Sequence, residues 1–225
     1  MEKYAYLMLV FHLLEIYCCI WMFQSFAVKR KGDKRFITFV YVIALCCAEW
    51  AITNVLYENL QVKAIVIIGV LSFAMYRLFL IRYTKALVLS MLFYGVVLVA
   101  DYMELVVMGT VFPGKFWNLS NGVIFFATRV TNIVLAYGMS FCIKKMLGSK
   151  TTDFFTVKEW YALAAISLIT IFSVITITLQ TDWLNYASQS ITVDFFHIHI
   201  AAGILCINFI GYYLIHSIAE REIEL

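Results

Sequence analysis

Asp101 and Glu104 stand three residues apart in the stretch VLVADYMELVV, inside a run that is otherwise hydrocarbon. Positions three apart share a helix face, so this spacing presents two carboxylates to one neighbour. Four further ionisable residues fall in apolar runs of the same kind: His12, Glu15, Glu49 and Arg129. A charge at mid-helix in a bilayer costs about 2.5 to 3.5 kcal/mol on translocon scales, so such groups turn toward a bundle interior and find partners there. A set of this composition can attract a cationic ligand group, share a proton between crowded carboxylates, or tie helices together as buried polar contacts. All three readings fit the residue types.

The elements that must position these groups follow from composition. Hydrophobic residues make up 64% of the 225, charged residues 14%, and there is one proline. That excludes an ordinary soluble domain and indicates an all-α, polytopic membrane helix bundle. A span takes roughly 20 predominantly apolar residues. Apolar runs bounded by charges or turn residues give seven transmembrane helices: Tyr4 to Val28, Phe36 to Leu56, Ala64 to Ile81, Ala86 to Phe112, Gly122 to Ile143, Trp160 to Leu179, and Phe195 to Ile218. The alternating pattern of barrel strands is missing, and only helices otherwise satisfy their own backbone in hydrocarbon. Without internal repeats or long linkers, one bundle is expected, with no separate soluble catalytic domain.

The connecting segments sort by charge. KRKGDKR joins the first two runs, Arg82 and Lys85 lie between the third and fourth, and Lys144, Lys145, Lys150 and Lys158 between the fifth and sixth. The alternate segments carry only Lys3, Lys63 and Lys115, and QTDWLNYASQSITVD carries none. The positive-inside rule then places the N-terminus outside and the C-terminus in the cytoplasm, which requires an odd number of spans and keeps the short third run. The first run is long and its basic cluster follows it, so it reads as a span and not as a cleaved signal peptide.

Depth along the helices predicts which groups can meet. Counting about 1.5 Å per residue from the outer ends of the fourth and fifth runs, Glu104 and Arg129 both lie roughly 11 to 12 Å down. Arg129 is the expected counter-ion of Glu104, across a short hairpin. Asp101 is one turn deeper on the same face, Glu49 and His12 fall in the outer half, and Glu15 near the midplane. The expectation is a polar cluster open toward the outside, with more acid than base.

Other candidates carry less. His197 and His199 in FHIHI are two apart and point to nearly opposite helix faces, so one helix cannot offer both to one ion. Cys18, Cys19, Cys46 and Cys47 lie at similar depth, but adjacent positions diverge by about 100 degrees and small apolar packing is expected. NLS at Asn118 matches a glycosylation acceptor, with Trp117 beside it as an interfacial aromatic. There is no HExxH, GxSxG, phosphate loop or paired-glutamate metalloprotease pattern. No catalytic residue, metal, cofactor or nucleic-acid partner is expected; the partner that composition demands is membrane lipid.

The last run passes into YYLIHSIAEREIEL with no helix stop, as a helix leaving the membrane would. LLEIYCCIWMFQSF followed by a basic loop, MYRLFLIRYTKALVLSMLFYGVVLVADYMELVV, KKMLG after the fifth run and the closing AEREIEL together resemble the membrane sensor region of bacterial GHKL-type sensor histidine kinases, the group that includes the Agr-type peptide quorum-sensing receptors. The resemblance implies a homodimeric sensor in the bacterial cytoplasmic membrane. It implies further that a small extracellular ligand or peptide binds in the bundle and that the last helix relays a shift to a downstream kinase domain and its response regulator. Residues 1–218 would be the sensor domain and 219–225 the start of the signalling helix. The phosphoacceptor His and the nucleotide-binding Asn and Gly boxes of such families do not occur in this sequence, and His216 falls in the last span, before the exit helix. The alternative is a small cation- or proton-coupled transporter whose translocation site is the acidic cluster.

Overall fold

Apolar runs of bilayer length fold as helices because backbone N–H and C=O groups have no other partner in hydrocarbon. In the computed structural model, residues 5–27, 35–56, 59–111, 122–146, 155–188 and 195–224 are described, and they are all-helical apart from short connections. Seven helices lie within them: α1 (Ala5–Phe23), α2 (Arg35–Val55), α3 (Leu60–Leu78), α4 (Tyr83–Val111), α5 (Gly122–Met146), α6 (Val157–Ser188) and α7 (Phe195–Glu224). The five from α2 to α6 are long and apolar enough to cross a membrane, and α1 and α7 contain the shorter apolar stretches Met8–Phe23 and His199–Ile215. The chain is a helical membrane bundle.

Several boundaries differ from the apolar runs: α1 ends at Phe23, short of Val28, and α4, α5 and α6 each extend about one turn beyond a run's edge toward the basic end. Helix α3 begins at Leu60, so Lys63 lies in its first turn instead of before it. Helix α6 continues past Leu179 to Ser188, through polar residues that a hydropathy reading stops at. Helix α7 runs on to Glu224, as the missing stop signal predicts. Residues 28–34 of the first basic loop, Trp117, the Asn118 sequon and Lys150 lie outside the described residues.

Helix α4 is the axis of the bundle. Of its membrane-spanning window, 67% is buried, the largest share of any of the five spans, because α3, α5, α6 and α7 all pack on it. Helices α1 and α2 complete the ring, α1 against α2 and α5, and α2 against α3. Outward faces carry exposed Ile65, Val134, Phe172 and Tyr213, a liability in water and the natural surface toward acyl chains. Between α3 and α4 the turn is tight: Phe79 leaves the helix in extended conformation with its N–H on the Met75 carbonyl, and its buried ring tilts against Phe23 at 5.8 Å.

The two ends of the bundle differ in chemistry. At the ends of α1, α3 and α5 and the starts of α4 and α6 the interior is filled by fully buried Met22, Phe23, Met75, Leu78, Leu89, Leu92, Ile143 and Leu163. Basic residues surround this end. Lys144 Nζ stands 4.3 Å over the Trp21 ring, Lys85 Nζ stands 5.0 Å over Trp160, and Arg77 and Lys144 occupy the last turns of α3 and α5, where a helix dipole favours cations. The opposite end holds the buried ionisable groups of α1 and α4, Glu15 and Glu104.

Candidate functional site: an acidic cavity at one end of the bundle

A cavity of about 340 Å³ opens among six of the seven helices. Its walls come from the early part of α1 (Met8, His12, Glu15), the late part of α2 (Glu49, Thr53), the start of α3 (Leu60, Lys63), the second half of α4 (Tyr94, Asp101, Glu104), the start of α5 (Thr128, Arg129) and the second half of α6 (Val174, Thr178). Early and late segments alternate because successive helices reverse direction, and the reversal brings all six to one level. His12, Glu15, Glu49, Asp101, Glu104 and Arg129, singled out in sequence, all line this one cavity.

The α1–α2 corner holds three of them. His12 Nδ1 lies 3.4 Å from Glu15 Oε2 on its own helix and 3.8 Å from Glu49 Oε2 on α2. Toward α4 and α5, the Asn132 side-chain amide donates to Asp101 Oδ1 at 2.5 Å. Asp101 itself counts as exposed, and the surface it exposes is cavity wall. Glu104 is 6% exposed, and its Oε2 has no hydrogen-bond partner.

The direct pair expected between Glu104 and Arg129 is not formed. Arg129 makes no ion pair within 4.0 Å among the described residues, where the carboxylates' contacts with a basic side-chain nitrogen at that distance are those of the His12 imidazole; its Nε is buried without a hydrogen bond. Its guanidinium lies 6.0 Å from the ring of Phe125, one turn back on α5. Equal depth brings the two groups to one stratum but leaves rotation about each helix axis open. The charge of Arg129 still acts on Asp101 and Glu104 across the cavity, and that of Lys63 on Glu49 and Asp101. Four carboxylates thus face two permanent cations and one histidine, and the acid surplus expected from sequence is present.

Sequence reasoning missed Lys63, which looks like a loop residue, and the neutral polar residues Tyr94, Thr128, Asn132 and Thr178. Neutral groups carry little cost in a span and so leave little signal. The remaining candidates do not join the site. His199 is exposed on α7, and the side chains of His197 and His216 lie outside the described residues. All six cysteines are free. Cys18, Cys19 and Cys46 are buried while Cys47 is exposed, so the four thiols of α1 and α2 do not converge.

Among the described residues, none of α7 lines the cavity. The helix packs behind, on α4, α5 and α6, through a buried polar node. Asn208 Oδ1 lies 2.7 Å from the Thr170 hydroxyl of α6 and accepts from the Tyr212 hydroxyl at 3.1 Å. No protein-family model, no curated protein and no solved structure matches the chain.

Proposed function

We propose that the chain is the transmembrane sensor module of a two-component signalling histidine kinase, which takes a small extracellular ligand or peptide into the acidic cavity and relays its binding through α7. One observation carries the reading: the acidic cavity belongs to one end of the bundle, while at the other end Phe23, Met75, Leu78, Leu89 and Leu92 fill the interior, and the groove of about 220 Å³ there, among Arg82, Lys85, Val157 and Trp160, has no carboxylate among its described lining residues. Basic residues ring that end, which the positive-inside rule assigns to the cytoplasm. The cavity then faces outward. Its acid surplus favours a ligand with an amine or guanidinium group.

Relay to α7 runs through the helices that cavity and α7 share. Helix α4 presents Tyr94 and Asp101 to the cavity and Val99 to a buried cluster with Val174 of α6 and Ala201 of α7. Helix α7 continues beyond its apolar stretch toward the basic end as unbroken helix to Glu224. A ligand shifts such a bundle only by binding one helix arrangement better than another. Homodimerisation, a downstream kinase domain and a response regulator belong to this proposal through the resemblance in sequence.

The transporter alternative requires a polar path to both faces. Among the described residues the buried carboxylates are Glu15 and Glu104 in the cavity and Glu159 near the start of α6, where it accepts a hydrogen bond from Thr156. Large apolar side chains fill the interior between. The decisive experiment joins this chain in frame to a histidine-kinase output domain and measures basal autophosphorylation in proteoliposomes. Glu104→Gln and Arg129→Gln should each change the basal rate by roughly 2- to 30-fold, the range of side-chain coupling energies between sites. Unchanged output from both variants would remove the reading, and proton-coupled uptake by the unfused chain would favour the transporter.

A further inference from the structure

We propose that His12, Glu15 and Glu49 form a site for a divalent transition-metal ion of the zinc class at the α1–α2 corner of the cavity. Their ligand atoms all lie within 4.8 Å of one another. Tetrahedral bonds of about 2.0 to 2.1 Å to imidazole and carboxylate set ligand atoms roughly 3.3 Å apart. The His12–Glu15 separation of 3.4 Å already meets that spacing, the 3.8 Å from His12 to Glu49 is about 0.5 Å longer, and the Glu15–Glu49 pair lies within 4.8 Å.

Two further observations point to an ion and not to a purely structural contact. His12 Nδ1 and Glu49 Oε2 are buried and have no hydrogen-bond partner, although they face each other. Buried polar atoms are costly in that condition, and a cation bridging them supplies what each lacks. Charge points the same way: four carboxyl groups share the cavity with Lys63 and Arg129, and a divalent ion bound among them favours their ionised form.

The donor set is also suitable in kind. His12 and Glu15 are three apart on one face of α1, the spacing with which bundle helices chelate metals, and Glu49 from α2 supplies the third ligand. Imidazole with carboxylates suits zinc and its first-row neighbours. Three protein ligands leave a fourth position directed into the cavity, the arrangement of an open zinc site. This inference does not depend on the sensor reading, since a transporter with the same cavity would hold the ion equally.

The test uses the purified full chain in detergent, stripped of metal, with zinc and cobalt ions as probes. The expected result is one zinc ion per chain and a visible cobalt absorption band. His12→Ala and Glu49→Gln should each weaken binding by more than the about 10- to 100-fold typical of losing a mere outer-shell partner and should abolish the band. His199→Ala should leave both unchanged. Absence of a saturable site at one ion per chain overturns the proposal, as does unaltered affinity in a folded His12→Ala protein or loss of binding in His199→Ala. Should the cavity variants fail to fold, zinc X-ray absorption of the unaltered chain decides: an imidazole with carboxylate oxygens supports the site, and a sulfur or all-oxygen shell overturns it.

Discussion

The Asn132 side-chain amide donates to the Asp101 carboxylate at 2.5 Å and so ties α5 to α4 beside the cavity. Asn132 is 1% exposed, whereas Asp101 opens on the cavity, so the donor is enclosed and the acceptor borders the cavity. Asn132→Ala is expected to destabilise the bundle by about 0.6 kcal/mol, the mean for interhelical hydrogen bonds in membranes, and by no more than about 1.7 kcal/mol. Asn132→Asp should cost more, because it removes the donor and adds a fifth acid to a site already short of cations. Thermal melts in detergent check the order: wild type, then Ala, then Asp. An Asp variant as stable as wild type would contradict the acid surplus.

Asn208 joins α7 to α6 and also bonds along its own helix, its amide donating to the Ile204 carbonyl at 2.8 Å. Asn208→Ala leaves the buried hydroxyls of Thr170 and Tyr212 facing an empty space, although Thr170 keeps the Ile166 carbonyl at 2.9 Å. Tyr212 has no such fallback among the described residues, so a loss of about 1 to 3 kcal/mol is expected from an unsatisfied buried group. In the kinase-linked chain the same variant should blunt the effect of Glu104→Gln on autophosphorylation, because α7 is then less tightly joined to the helix that lines the cavity. An undiminished effect would show that the signal reaches α7 by another route.

Two glycines test how closely the helices pack. A Cβ at Gly95 of α4 would meet Ile171 Cγ1 of α6 at 3.7 Å, ordinary contact, whereas one at Gly211 of α7 would meet Ile166 Cδ1 at 2.8 Å. Gly95→Ala should therefore gain roughly 0.5 to 1 kcal/mol from reduced backbone freedom in the unfolded chain. Gly211→Ala must first move the tip of Ile166 and should gain less or lose slightly. Gly95→Leu has no room for its extra carbons and should cost about 1 to 3 kcal/mol. Melting temperatures in detergent give the ranking directly; a stabilising Gly95→Leu would mean that α4 and α6 are less closely packed than described.

Much of this arrangement was legible in the sequence, and for definite reasons. Apolar runs of bilayer length can fold only as helices, so all seven elements were found, and the alternation of basic and neutral connections predicted that His12, Glu49, Asp101, Glu104 and Arg129 share one end. What could not be read was rotation about the helix axes. Depth put Glu104 level with Arg129, yet Arg129 lies toward Phe125 and Asp101 finds Asn132. The proximity of His12 to Glu49 is likewise a matter of lateral packing between two helices, which is why no metal site was expected from sequence. Lys63 was hidden differently: a charge at the edge of an apolar run reads as loop, and the first turn of α3 absorbed it.

Charge segregation between the two ends makes orientation testable. The end that carries Arg77, Lys85, Lys144 and Lys158 should face the cytoplasm, and the cavity end the exterior. Alkaline phosphatase, active only outside the cytoplasm, should be active when fused after Val111 at the cavity end of α4 and inactive when fused after Met146 at the basic end of α5. A fluorescent protein active only in the cytoplasm should give the reverse result. Replacing Lys144 and Lys145 together by Gln removes two cations from the last turn of α5 and should reduce the contrast between the two fusion sites, since orientation follows Lys and Arg placement and not net charge. If phosphatase were active after Met146 and inactive after Val111, the cavity would face the cytoplasm, and a ligand from outside could not enter it.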